Sequence, residues 1–195
     1  PGVDYLGRGL QTDIPSRQLG SVCAQLGKKK AISEMYALCG WDVTPRELKR
    51  IADLQYAGGV NVMCQHLYSY SERGQRKFDY PLHFSEHLPW QKHLKPFLRY
   101  YEMLGYALSR GSEKVDVLLL HPIHSAYLVY KRADERKADE LQKELEHTVS
   151  FCSSHQIPFH FGDELLMARY GSVTADGRFQ VGKCQYHYVV LPDLD

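Results

Sequence analysis

Residues 31–66 run apolar strand, capped amphipathic helix, apolar strand, and that order leaves a chain few ways to fold. Ala31-Ile32-Ser33 is a short strand that leads into Glu34-Met35-Tyr36. Thr44-Pro45-Arg46-Glu47 is a capping box with proline at the first helical position: the Thr44 hydroxyl can accept from the Glu47 N–H while the Glu47 carboxylate reaches back to Thr44. Leu48, Ile51, Ala52 and Gln55 define the inner face of that helix, and Gly58-Gly59 ends it. Val60 to His66 is the second strand. Strand, helix and strand in so few residues imply parallel pairing through a crossover.

Around this unit the pattern is less regular. Glycines and Pro15 punctuate the first residues, and Ser16 to Leu26 has helical spacing of Leu19, Val22, Cys23 and Leu26. Residues 67–88 are polar and aromatic, a loop of the length that is usually functional. A helix is expected from about Pro89 to Ser109, with Leu94, Phe97, Leu98, Tyr101, Leu104 and Leu108 on its buried stripe, and Arg110-Gly111-Ser112 closing it. Composition then changes. Val115 to Pro122 is a near-continuous apolar strand of the kind covered on both faces in a parallel sheet. Asp134 to Ser154 is an amphipathic helix with Leu141, Leu145, Val149 and Cys152 inward, Ile157 to Phe161 a further strand, and Tyr188 to Leu191 the last. A hairpin around Asp176-Gly177 fits between them. The expected division is residues 1–111 and 112–195.

The balance of 24 basic and 23 acidic residues gives a formal net charge of +1 and no reason to expect a nucleic-acid or anionic-membrane partner. No window approaches the roughly 18 apolar residues of a membrane helix. The five cysteines are widely spaced and include no CxxC pair, so structural zinc and a disulfide framework are not indicated. Free thiols suit a reducing compartment, which makes a cytoplasmic location the expectation. No GxGxxG or Walker spacing occurs, and no cofactor is expected.

Glu34 leads the candidate functional residues. A carboxylate at the C-terminal tip of a strand, beside aromatic residues, is where a (β/α) barrel places its chemistry. A glycosidase needs two carboxylates, one to give a proton and one to attack or to activate water. A solvated or helix-capping role for Glu34 stands beside that reading. Trp41 suits a stacking platform for a sugar ring or a place in the core, and Asp42 a hydroxyl contact or the helix entry. His66, Tyr68 and Tyr70 fall at period-two spacing, which on a barrel strand points all three the same way, at the C-terminal rim towards the substrate cleft as substrate-binding residues. Arg76 and Asp79 are candidates for substrate contacts, whereas Arg73 and Lys77 fit ion pairs that order the loop.

Ser33-Glu34-Met35-Tyr36 with Gly40-Trp41-Asp42, Gly59-Val60-Asn61 with His66 to Ser71, and Gly74-Gln75-Arg76-Lys77 with Asp79-Tyr80-Pro81 and Pro89-Trp90 together resemble family 106-type α-L-rhamnosidases and their relatives. Val115 to Pro192 is similar to the flavodoxin-like domain that follows the barrel in such enzymes and in family 42 β-galactosidases. The resemblance implies an α/β chain: the closing part of a (β/α)8 barrel, with Glu34 on the seventh strand and His66 to Tyr70 after the eighth, then the start of a flavodoxin-like domain. It implies a carbohydrate or glycoside substrate and a partner carboxylate on the rest of the barrel, outside this chain. The alternative is a non-catalytic flavodoxin-like module for oligomerisation or small-ligand binding, and self-association is compatible with either. If Glu34 is catalytic, it and His66 should meet at neighbouring strand tips; if it is a solvated surface group, they should be far apart.

Overall fold

The computed structural model describes residues 13–78 and 82–192, with only the backbone of Arg76 and Lys77. The fold is α/β, with helices and parallel sheets in two compact units. The first comprises residues up to Gly20 and Lys29–Ser112, and the second Ser21–Lys28 and Glu113 onward. The main division falls between Ser112 and Glu113, but Ser21–Lys28 belongs with the second unit, so residues 1–111 do not form one contiguous body. Helix α1 (Ile14–Gln25) is shared between the two.

In the first unit, strand β1 (Ile32–Met35) and strand β2 (Val62–Gln65) pair in parallel, with Glu34 opposite Cys64 and Met35 opposite Gln65. Helix α2 (Pro45–Ala57) crosses between them. Its capping box forms as the sequence dictates: Thr44 Oγ1 accepts from Glu47 N at 3.3 Å, and Glu47 Oε2 accepts from Thr44 N at 2.8 Å. Leu48, Ile51, Ala52, Gln55 and Tyr56 are buried. Ser33 Oγ donates a hydrogen bond to Gln55 Oε1 inside this apolar layer. The core beneath the strands combines Met35, Tyr36, Val43, Leu48, Ile51, Leu82, Phe84, Leu94 and Tyr101, each large aliphatic or aromatic member adding about 1.5–3 kcal/mol of burial free energy. Helix α3 (Leu94–Arg110) follows a 3₁₀ turn at Gln91–His93 and closes this core. Leu108, expected on the buried stripe, is exposed.

In the second unit, β3 (Val117–His121), β4 (Phe159–Asp163) and β8 (Tyr188–Val190) form a parallel sheet in the order β4-β3-β8. Helices α4 (Ile123–Val129) and α5 (Arg136–Ser154) connect β3 to β4. Leu145, Val149 and Cys152 of α5 are buried. After helix α6 (Glu164–Tyr170), strands β5 (Gly171–Val173), β6 (Phe179–Val181) and β7 (Cys184–Tyr186) form a small antiparallel sheet. Gly177, at φ 83°, turns the first hairpin. The C-terminal end of α1 is tied in by hydrogen bonds: Phe161 N donates to Ser21 Oγ at 2.9 Å, and Gln25 Nε2 donates to Phe161 O at 2.9 Å.

Candidate active site at the strand ends of the first unit

Burial along β1 alternates, with Ser33 and Met35 inward and Ile32 and Glu34 outward. The core therefore fixes the strand while leaving the Glu34 carboxylate in reach of solvent. The chain then turns sharply: Tyr36 (φ 80°) and Leu38 (φ 56°) both lie in the left-handed region. Non-glycine residues hold that conformation only where the surroundings impose it, and such positions cluster at functional sites. Tyr36 is fully buried, with its ring 5.7 Å from Phe84 and its hydroxyl donating to Met63 Sδ at 3.7 Å. Burial pushes the Tyr36 phenol well above its ordinary value.

His66 follows β2 directly, and its N–H donates to Met35 O at 2.9 Å, extending the pairing by one residue. Its Nε2 lies 3.9 Å from Glu34 Oε1, with the imidazole 18% and the carboxylate 47% exposed. The two side chains predicted to share the strand tips are thus brought together. The period-two argument for His66, Tyr68 and Tyr70 does not hold, because β2 stops at Gln65. Leu67 O instead accepts from Phe84 N at 2.9 Å, and Tyr68 and Tyr70 stand exposed in the loop beyond. Trp41 is half exposed with one side against His83, at 5.5 Å between ring centroids. Asp42 is exposed one residue on. Arg76 lies in a 3₁₀ turn, Gly74–Phe78, and its side chain is outside the described residues, as is Asp79.

Several residues here went unsingled by the sequence. Cys64, beside Glu34 in register, is an exposed free thiol. Glu72 approaches His87, with Oε2 3.7 Å from Nε2. Leu82, His83, Phe84 and Ser85 are all buried inside what reads as a polar loop; the run Leu82-His83-Phe84 was the available signal. Among the described residues no group of three His, Cys, Asp or Glu side chains is arranged to hold a metal ion, and no helix is long and apolar enough to cross a membrane.

The class this architecture falls in is an α/β fold similar to part of a glycoside hydrolase. No family model matches the chain, and neither does any curated protein. Among solved structures, a rhamnosidase from Novosphingobium sp. PP1Y is similar, with a TM-score of 0.57 and 17% identity over 91% of this chain. The matched region is 16% of that protein's chain, and at this identity the likeness is one of fold.

Proposed function

We propose that this chain is part of a glycoside hydrolase, the closing strands of a (β/α)8 barrel followed by a flavodoxin-like α/β domain, with Glu34 as a catalytic carboxylate. The observation that carries the reading is the 3.9 Å approach of His66 Nε2 to Glu34 Oε1 at the C-terminal ends of two parallel strands. In parallel α/β architectures that rim is where reacting groups are displayed. A carboxylate acting at an anomeric carbon benefits from a neighbouring imidazole that fixes its orientation. Trp41 and the loop aromatics Tyr68 and Tyr70 offer faces for sugar stacking, while Asp42 and Arg76 supply hydroxyl contacts. The remainder of the barrel contributes the second carboxylate, about 5–5.5 Å away for retention or about 6.5–9.5 Å for inversion.

The test is Glu34→Gln in the protein carrying the complete barrel, assayed on an aryl α-L-rhamnoside. Turnover should fall by about a thousandfold or more, the scale of losing an acid–base or nucleophilic group, with the circular dichroism spectrum and Tm unchanged. Near-normal turnover would overturn the assignment and leave the non-catalytic module as the better reading.

A further inference from the structure

His83 is an odd residue for its position. It is 0% exposed, in a segment buried from Leu82 to Ser85. Its Nδ1 lies 3.1 Å from Ser69 Oγ, and among the described residues its Nε2 has no hydrogen-bond partner. A buried ring nitrogen without a partner subtracts from stability, and phenylalanine would fill the same space without that penalty. Packing alone therefore does not account for a histidine here. What the imidazole has and a phenyl ring lacks is the Ser69 anchor, which fixes the plane of the ring.

Trp41 rests on that ring, tilted 59° to it, and keeps its other side partly open to solvent at 43% exposure. Ser69 stands between Tyr68 and Tyr70 in the loop after β2, whereas Trp41 belongs to the loop after β1. The chain Ser69–His83–Trp41 thus couples the two strand-end loops of one unit through a buried post.

We infer that Ser69 and His83 form a positioning pair that fixes the tilt of Trp41 as the stacking platform for the apolar face of a pyranose ring. His83 acts through Trp41 and does not touch the sugar. The inference rests on the glycoside reading and adds to it the residues that set the geometry of one subsite.

The experiment is ¹⁹F NMR of the protein carrying the complete barrel, labelled with 5-fluorotryptophan, in which the Trp41 resonance is assigned by its loss in Trp41→Phe. Methyl α-L-rhamnopyranoside is the titrated probe. In the unaltered chain the Trp41 resonance should shift saturably with the sugar. Ser69→Ala and His83→Phe should each move the Trp41 resonance in the free chain and weaken the apparent Kd by about tenfold, the scale of one well-set aromatic contact. The two effects should not add in the double variant, because both break the same link. His83→Phe should meanwhile keep or raise Tm, which a purely structural role would not allow. A Trp41 resonance indifferent to both substitutions overturns the inference. A Trp41 resonance that follows the substitutions but never responds to the sugar overturns the glycoside reading beneath it, and the subsite with it.

Discussion

Glu34 and His66 sit side by side at the ends of parallel strands, Oε1 3.9 Å from Nε2, although 32 positions separate them in the chain. The pairing is built by the backbone: the register sets Met35 opposite Gln65, and the His66 N–H continues the ladder to Met35 O. If the imidazole holds the carboxylate in its working orientation, His66→Ala in the complete enzyme should lower kcat by about a hundredfold with little change in KM. A rise in KM at constant kcat would instead assign His66 to substrate binding.

Local signals carried most of the fold. The capping box of α2 involves residues three apart, and the structure reproduces both of its hydrogen bonds. The β3–β4–β8 strands were anticipated but end one or two residues away, because a continuous apolar run has no internal marker for its ends. Helices α4 and α6, of seven residues each, were missed. The second had a usable signal, since Asp163 caps it by accepting from Leu166 N at 2.8 Å. The placement of Glu34 and His66 at neighbouring strand ends was legible from residue type and position. His83 was not: its burial comes from tertiary packing against Trp41, which no local period encodes.

The cap should be measurable in the first unit, whose two tryptophans make it the fluorescent one. Thr44→Ala leaves the Glu47 N–H without its acceptor and should destabilise that unit by about 1 kcal/mol. Urea unfolding followed by tryptophan emission checks the value. An unchanged midpoint would mean that α2 is held by its packed face alone.

Gly105 gives the opposite of what helix propensity suggests. In an exposed helix interior, Gly→Ala stabilises by about 1 kcal/mol. In α3 a Cβ at position 105 would lie 2.2 Å from Asn61 O, a backbone atom at the entrance to β2. The helix would have to move off the strand, so Gly105→Ala should destabilise by about 1–3 kcal/mol. The same urea experiment reads it, and a stabilised variant would show that the helix and strand have room to separate.

In the second unit two histidines should titrate on opposite sides of the ordinary imidazole value of about 6.5. His121 is half buried, and burial pushes it down despite the nearby Asp163 and Glu164. For His160, burial opposes the charge, but the neighbouring Cys184 thiol and Glu113 carboxylate outweigh it and raise the pKa; Glu113 Oε2 lies 3.4 Å from its Nε2, and Tyr186 Oη 2.9 Å from its Nδ1. A histidine with a raised folded pKa stabilises fully below its unfolded pKa and loses that contribution as pH rises through the folded one. The contribution from His160 should therefore be fully present below about pH 6.5 and fade as the pH rises through the higher folded value. Imidazole C2–H NMR, assigned with His160→Asn and His121→Asn, should place the His160 midpoint above 6.5 and that of His121 below it. Glu113→Gln should bring His160 down while leaving His121 in place. If His160 titrates below His121 in the unaltered protein, Glu113 and Cys184 do not offset the burial, and the pH dependence of the second unit reverses sign.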